Sequence, residues 1–296
     1  MNTTKGELVQ FKASDGLVLA GFLSRARNPN ATVIIHVHGF GGNFASWSRL
    51  FQIYGRALKQ GFSIFSINTR GAGLKTWFRS DHKSFTIGSS NEVFEDSVKD
   101  ISGAITAAKR LGYAKVILSG HSTGCQKATY YQSVAQDKSV KGLILLAPAD
   151  DYNLHKKDLG DRFEPTAALA RAMVALGKGG HAMPEWTGVS NMSAARFTSV
   201  ANKEMAEASL FNYESDKLEL YSKIRCPVLA VFGRREQYKT KRVSKYIEKL
   251  RNDRNDGYLW FTGKVVSGAD HGFTGKAPAL SKIIGKWLEG REASPS

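Results

Sequence analysis

Residues 115–124 read KVILSGHSTG, a short apolar run that leads into a serine between two glycines. The first half is rich in apolar and β-branched residues and predicts a buried strand, Lys115–Ser119. The second half has the form G-x-S-x-G and opens a segment with helical spacing, Thr123–Ala135. Between a strand and a helix, this motif predicts a sharp turn that presents the hydroxyl of Ser122, as in a nucleophile elbow.

The residues around this serine fit the requirements of such a turn. Gly120 and Gly124 stand at the two positions where neighbouring backbone would pass too close for a Cβ atom. The turn would hold Ser122 in a strained backbone conformation, and the helix that follows directs N–H groups toward developing negative charge. We interpret Cys125 as a small apolar residue in the first turn of that helix, not as a second nucleophile.

Outside this segment, short apolar runs alternate with helical patterns, which indicates a mostly parallel sheet with helices on both faces. The other predicted strands are Leu17–Phe22, Thr32–Val37, Ser63–Ile67, Gly142–Leu146, Pro227–Phe232 and Tyr258–Phe261. The other predicted helices are Ser46–Lys59, Val93–Leu111, Arg242–Arg251 and Ala279–Glu289. We therefore predict an α/β core made of residues 1–150 and 225–296.

Residues 151–224 break the alternation, because they contain no strand pattern. The segment is rich in Ala, Met, Phe and Trp, and Thr166–Leu176 and Lys203–Leu210 have helical spacing. A structureless loop of this length is improbable in a compact domain. We predict a helical lid or cap, inserted after the sixth strand of the core, the one that ends at Leu146.

A second glycine-rich segment, HGFGG at residues 38–42, follows the predicted strand Thr32–Val37. Such a loop allows a backbone N–H to approach the carbonyl oxygen of a substrate. We predict an oxyanion hole formed by the backbone N–H groups of Phe40 and Thr123.

Seven histidines are available as a general base. His271 lies in a loop between the last predicted strand and the last predicted helix, and it satisfies the chain order serine, acid, histidine. It is therefore the predicted base. The other six belong to a strand, to the glycine-rich loops, or to loops and the predicted lid: His36, His38, His121, His82, His155 and His181.

The acid that would orient His271 has more than one candidate. Glu236 follows the predicted strand Pro227–Phe232, where a carboxylate is needed to stabilise the imidazolium form of the base. The alternatives are Asp150 and Asp151, one strand earlier, and the choice stays open at this stage. Asp270 adjoins the histidine in sequence and is poorly placed to orient its ring.

The order and spacing of these motifs resemble the α/β-hydrolase superfamily. The segments that carry the resemblance are HGFGG, NTRGAG at 68–73, GHSTG, GRRE at 233–236 and ADHGF at 269–273. It covers the chain apart from the predicted lid, and it implies an eight-stranded core sheet and a triad of Ser122, Glu236 and His271. The superfamily more often has aspartate where this chain has Glu236. The longer stretch GHSTGCQ, which ends at Gln126, is also similar to fungal fusarinine-siderophore esterases and their bacterial relatives.

Composition limits the other function classes. The chain of 296 residues is 42% hydrophobic and 23% charged, as expected of a soluble globular protein. The formal charge of +16 is dispersed, without a run of like charge or an RNA-binding signature, so we expect no specific nucleic-acid binding. We find no signal-peptide pattern and no run long enough to span a membrane, and expect a cytoplasmic protein. Two cysteines without metal-ligand spacing give no reason to expect a disulfide, and no metal or organic cofactor is implied.

The implied reaction is hydrolysis of a small-molecule carboxylic ester through an acyl-enzyme. Amide or carbon–carbon bond hydrolysis on the same triad is an alternative, because the fold does not choose the leaving group. A non-catalytic ligand receptor on the same scaffold is a third possibility from a different class.

The loop after Ser63–Ile67 is rich in basic and aromatic residues, and it would reach the carboxyl edge of the sheet, where ligands bind. These residues are Arg70, Lys75, Trp77, Phe78, Arg79 and Lys83. Cations at the mouth of the site would attract anionic substrates. Alternatively, the loop is simply solvated and its charges contribute to solubility.

Overall fold

The computed structural model describes residues 4–46, 49–80, 83–254 and 260–292. Ten strands form one sheet: β1 Glu7–Lys12, β2 Val18–Ser24, β3 Thr32–Val37, β4 Ser63–Ile67, β5 Thr76–Arg79, β6 Ser84–Ile87, β7 Lys115–His121, β8 Val140–Leu146, β9 Val228–Gly233 and β10 Phe261–Val266. Their order is β10-β9-β8-β7-β3-β4-β2-β5-β6, and β1 pairs with β2. The pairs from β10 to β4 are parallel, and all pairs that involve β2, β5 or β6 are antiparallel.

The expectation of a mostly parallel eight-stranded sheet is therefore wrong. The sheet has ten strands, and the strands on one side of it pair antiparallel. The sequence does not reveal β1, β5 and β6, because their exposed residues lack the apolar alternation of a buried strand. Pairing along the edge of the sheet, rather than local pattern, makes them strands. Half of the predicted strand Tyr258–Phe261 lies outside the described residues, and β10 begins at Phe261.

Eleven α-helices are present in the described ranges: α1 Leu50–Ile53, α2 Gly55–Lys59, α3 Ser97–Arg110, α4 Thr123–Ala135, α5 Asp151–Leu159, α6 Phe163–Ala175, α7 Ala194–Ala201, α8 Ala206–Leu210, α9 Glu219–Ser222, α10 Val243–Asn252 and α11 Ala277–Glu292. The predicted helix Ser46–Lys59 is two short helices in its described part. Five helices, α5 to α9, lie between β8 and β9, so the segment 151–224 is helical, as predicted. Within the described residues, no helix is both long and apolar enough to cross a membrane.

Alternate residues of the central strands pack into separate cores on the two faces of the sheet. Val33 and Ile35 of β3 belong to a core with α3, α4 and α10, whereas Ile34 belongs to a core with α1, α2 and α11. This alternation follows from the two-residue period of a strand. Each large apolar side chain that is fully buried contributes roughly 1.5–3 kcal/mol. The inserted helices have a third cluster of their own, which includes Phe163 and Phe197.

Candidate active site

The turn at Ser122 has the strained backbone that the motif predicts. Its φ is 54° and its ψ is −129°, in a region that residues with side chains rarely occupy. A Cβ added at Gly124 would lie 2.2 Å from the carbonyl oxygen of Val37, and one at Gly120 would lie 2.2 Å from the backbone of Gly124. Both positions therefore require glycine. The turn is held by a hydrogen bond of 3.0 Å from the Ser122 N–H to the Leu146 carbonyl.

Four parallel strands deliver the predicted site residues to one edge of the sheet. Phe40 follows β3, Ser122 follows β7, Glu236 follows β9 and His271 follows β10. Because the carboxyl ends of parallel strands meet at the same edge, these residues converge there.

The serine and the histidine line a common cavity of about 470 Å³, which Phe40 and Thr123 also line. The glycine-rich loop after β3 passes directly against the serine, since a Cβ added at Gly39 would lie 3.0 Å from the Cβ of Ser122. The N–H of Thr123 belongs to the first turn of α4, where N–H groups have no carbonyl partner within the helix.

Of the candidate acids, the structure brings Glu236 to the histidine. The Nδ1 of His271 donates to Oε1 of Glu236 over 2.8 Å, and this carboxylate is only 3% exposed. Because a carboxylate only accepts, Nδ1 carries a proton, and in the neutral imidazole Nε2 is then the acceptor. The backbone N–H of His271 donates to Oε1 of Gln237 over 2.8 Å, and the Tyr238 ring packs edge-on against the imidazole.

The alternative acids have other partners. Asp150 caps α5 and accepts from the backbone and side-chain amides of Asn153 and from the N–H of Tyr213, over 2.9–3.1 Å. Burial raises its pKa to about 6. Asp151 lines the cavity and accepts from the Nε2 of Gln126 over 2.7 Å.

Asp270 and the cysteine next to the serine also have structural roles. Oδ1 of Asp270 accepts from the N–H of Thr274 over 2.7 Å and so holds the turn after the histidine. Cys125 is fully buried, donates to the carbonyls of Gly120 and Leu146, and has its pKa raised by burial.

Two other histidines support the loops, as the sequence predicts. His38 donates from Nδ1 to the Gly39 carbonyl and accepts at Nε2 from the Thr69 N–H, at 2.9 and 3.2 Å. His121 donates to the carbonyl of His271 over 2.9 Å. Burial lowers the pKa of His38 to about 4 and that of His121 to about 3, so both are neutral at neutral pH. His36 is buried in β3, His155 lines the cavity, and His82 lies outside the described residues.

The sequence did not single out the residues that hold the glycine-rich loop. Ser89 accepts from the N–H of Gly41 over 2.9 Å and donates to the Gly73 carbonyl over 2.7 Å. Gly73 in turn donates to the carbonyl of Gly42 over 2.7 Å. Because Ser89 lies in a loop far along the chain, no local pattern marks it.

A buried lysine supports the same region from α4. The Nζ of Lys127 donates to Oγ1 of Thr69 over 3.1 Å and to Oε2 of Glu92 over 2.7 Å. Lysine is almost never fully buried without such partners. The sequence could have indicated a buried role for Lys127, because it lies five residues after the serine on the buried face of a predicted helix.

The inserted helices close one side of the cavity. Arg196 of α7 is buried and forms an ion pair with Glu207 of α8 through both terminal nitrogens. Its Nε donates to the carbonyl of Ser89 over 3.1 Å, and its guanidinium lies 5.9 Å from the centre of the Phe40 ring. The insertion therefore contacts the glycine-rich loop beside the serine.

The basic residues after β4 do not lie at the mouth of the cavity, where the sequence suggested them. Arg70 is buried and forms ion pairs with Asp15, Asp96 and Asp100 over 2.8–3.1 Å, so its charge is neutralised. The remaining basic and aromatic residues lie in or beside the antiparallel hairpin β5–β6 at the edge of the sheet. None of them is among the described residues that line the cavity. The prediction of cations at the cavity mouth is wrong for Arg70, and the hairpin gives it no support.

Among the described residues, no group of three or more His, Cys, Asp or Glu side chains is arranged to hold a metal ion. Besides the serine and the histidine, charged side chains of the inserted helices line the cavity, among them Asp151 and Arg196.

The sheet with its turn at Ser122 places the protein in the α/β-hydrolase fold, and solved structures agree. Est1E from Butyrivibrio proteoclasticus, with ferulic acid bound, superimposes with a TM-score of 0.69 at 16% identity, over 97% of this chain and all of the other. An esterase of Pyrococcus furiosus gives 0.60 at 17% identity, over 97% of this chain and 92% of that one. At these identities the likeness shows the fold alone.

Residues 52–288 match DUF1749, a family described as proteins of unknown function, and the chain belongs to this family. A protein of Mycoplasma genitalium named "Putative esterase/lipase 2" is 32% identical over 133 residues. That match spans 44% of this chain and 44% of the Mycoplasma protein, less than half of its length.

Proposed function

We propose that the protein is a serine hydrolase, a carboxylesterase that cleaves a small-molecule ester. Ser122 is the nucleophile, His271 the general base, and Glu236 the acid that orients the base. The observation that carries the proposal is the strained serine in the same cavity as a histidine whose Nδ1 is bonded to a buried carboxylate.

The proposed reaction has two halves. His271 accepts the proton of the Ser122 hydroxyl at Nε2 while the serine oxygen attacks the ester carbonyl. The backbone N–H groups of Phe40 and Thr123 stabilise the negative charge on the carbonyl oxygen, and Glu236 stabilises the imidazolium. The alcohol leaves with the proton, and an acyl-enzyme remains on the serine. Water, activated by His271, then releases the acid.

Related proteins support this choice of chemistry. The Mycoplasma protein is named as an esterase/lipase, and two structures with the same fold are an esterase and Est1E, which carries ferulic acid. We therefore favour an ester over an amide or a carbon–carbon bond as the substrate. The similarity to fusarinine-siderophore esterases stays a prediction, as does a location in the cytoplasm.

The helical segment 151–224 is proposed to act as a lid on the core formed by residues 1–150 and 225–296. Residues from α5 and α7 line the cavity, which supports a role in choosing the substrate. The apolar side chains between Leu159 and Ala201 form a cluster of their own, whereas Leu210 and Ile224 belong to the main core, so only the first part of the insertion is proposed to move.

Two measurements test the proposal. A fluorophosphonate probe should label the wild-type protein on Ser122, and a panel of p-nitrophenyl esters of increasing chain length should be hydrolysed. Ser122→Ala should not label and should lose about 10⁴–10⁶-fold in kcat. Because alanine fits the small turn, its melting curve should match that of the wild type. A folded Ser122→Ala protein with wild-type turnover would overturn the assignment, and a wild type that does not label would favour a non-catalytic receptor.

A further inference from the structure

The part of the cavity wall that the inserted helices form carries an unequal number of charges. Asp151 of α5 and Arg196 of α7 both line the cavity. Glu207 of α8 lies behind Arg196 and is fully buried. One cation therefore faces two carboxylates in this part of the wall.

Arg196 already forms an ion pair with Glu207. Glu207 accepts from both of its terminal nitrogens, and the hydroxyl of Ser199 donates to the same carboxylate over 2.8 Å. The remaining Nε of Arg196 donates to the carbonyl of Ser89. This arrangement is a complete ion pair. Arg196 still lowers the pKa of Asp151, but this effect is smaller than the opposite effects of burial and of Glu207.

The partner of Asp151 is neutral. Its Oδ2 accepts from the amide of Gln126, a fully buried residue of α4. The other titratable groups near it add no cation. Asp150 carries the same sign, and His155, one turn along α5, has its pKa lowered to about 4 by burial and is neutral at neutral pH. Asp158, at the exposed end of the same helix face, is also acidic.

A poorly solvated carboxylate without a counter-charge is unfavourable. In agreement, burial and the charge of Glu207 raise the pKa of Asp151 to about 7. A ligand that brings a positive charge into the cavity would remove this cost, because it would supply the missing counter-ion.

We infer that Asp151 determines specificity by binding a cationic, ammonium-type group of the ester substrate. The inference rests on the proposed hydrolase function and adds the substrate class. The basic loop suggested an anionic substrate, whereas this inference assigns a cationic one. The reason is that the charge that contacts the substrate lies inside the cavity and not on the edge hairpin.

A matched pair of substrates tests the inference. In p-nitrophenyl 4-(trimethylammonio)butyrate and p-nitrophenyl 5,5-dimethylhexanoate, the acyl groups have the same shape and differ only in charge. A second pair of p-nitrophenyl esters, of 6-(trimethylammonio)hexanoate and 7,7-dimethyloctanoate, has a longer acyl chain. It allows for a larger distance between Ser122 and Asp151. The measured quantity is the ratio of kcat/KM for the cationic ester to that for the neutral ester, each corrected for spontaneous hydrolysis.

We expect the wild type to prefer the cationic ester of at least one pair at pH 8, chiefly through a lower KM. Asp151→Asn keeps an oxygen for Gln126 but loses the charge, and it should lower the ratio about ten-fold. Asp161→Asn removes a charge from an exposed position of the insertion that does not line the cavity, so it should leave the ratio unchanged.

The pH dependence provides a test that needs no variant. The trimethylammonio group does not titrate, so a change in the ratio reports the protein. The ratio should rise from pH 6 to pH 8 as Asp151 ionises, and it should stay flat in Asp151→Asn.

The outcomes separate the two proposals. Hydrolysis of the neutral esters, with a ratio near or below one and no change in Asp151→Asn, would overturn the inference and leave the hydrolase intact. Failure to hydrolyse any ester, together with no fluorophosphonate labelling, would overturn both.

Discussion

At the turn around Ser122, backbone atoms of several segments lie so close together that Gly120 and Gly124 cannot be replaced. In the helical insertion, by contrast, a buried ion pair joins two consecutive helices, Arg196 of α7 and Glu207 of α8. Steric crowding fixes a position within tenths of an ångström, whereas charge pairing fixes which segments meet. Changes at the turn or at the proposed general base His271 should therefore alter kcat. Changes in the insertion should alter stability and substrate choice.

The two regions are joined at the glycine-rich loop. Phe40 packs against the apolar cluster of the insertion, and Ser89 bonds both the loop and Arg196. The loop that carries Phe40, the predicted oxyanion donor, thus contacts both the core and the insertion. Substitutions in either region therefore test how the two regions differ.

The largest effect is expected where the acid holds the base. Glu236→Gln should lower kcat by about 10⁴-fold, because an amide at this position favours the wrong imidazole tautomer. The melting temperature should change little by comparison. Steady-state kinetics on a p-nitrophenyl ester, normalised by the folded fraction, measure the effect. If Asp150→Asn reduced kcat more than Glu236→Gln, the acid would lie in the earlier loop.

A large loss of stability is expected from the buried ion pair of the insertion. Arg196→Met leaves the Glu207 carboxylate buried without its counter-ion, which costs roughly 3–5 kcal/mol of unfolding free energy. The double variant Arg196→Met/Glu207→Leu should recover most of this loss, because it removes both charges. Urea unfolding of the wild type and both variants provides the measurement. Additive losses in the double variant would show that the pair is not coupled.

A smaller loss is expected at the cap of α5. Asp150→Asn replaces an acceptor of three N–H groups by an amide with only one oxygen, so at least one buried donor loses its partner. We expect a loss of about 1–3 kcal/mol in the free energy of unfolding. The exposed Asp161→Asn should stay within about 0.5 kcal/mol of the wild type. Equal stability of the two variants would contradict the role of Asp150 as a cap.

The same contrast explains what the sequence could and could not predict. The turn at Ser122 was recognisable because its requirements are local: a strand, two glycines and a helix within twenty residues or so. Their positions after the last two parallel strands make His271 the predicted base and Glu236 one of the candidate acids, and in the structure a hydrogen bond joins these two residues, 35 positions apart. A regular βα pattern places such residues at one edge before any contact is known.

The failures involve pairings that no local pattern encodes. The sequence suggests Arg70 as a cation at the cavity mouth, but Asp15, Asp96 and Asp100 neutralise it from separate segments. The strands β5 and β6 owe their conformation to an edge of the sheet. Asp151 was considered only as a rival to Glu236, because its place in the cavity wall depends on how the inserted helices pack.

The smallest expected effect concerns Asp151 and the pH dependence of stability. Its pKa is raised from 3.8 to about 7 in the folded protein, mainly by burial. In this range the folded state therefore binds a proton more tightly than the unfolded state, and the stability from this group is lost as pH rises from about 4 through 7. Asn does not titrate, so Asp151→Asn escapes this loss. Groups distant from Asp151 titrate alike in both proteins and cancel in the difference; Asp150 and Glu207, which interact with Asp151, contribute to it together with that residue.

The melting temperature of Asp151→Asn minus that of the wild type should therefore increase between pH 4.5 and pH 8. Each kcal/mol corresponds to roughly 2–4 °C in a protein of this order of size, so a shift of a few degrees is measurable. Adding the trimethylammonio acid that the short cationic ester releases should reduce the difference at pH 8, since a bound cation compensates the carboxylate in the wild type alone. A difference that is constant with pH would mean that the charge of Asp151 is already compensated in the folded protein, as Arg196 compensates Glu207, and the cavity wall would then need no cation from a ligand.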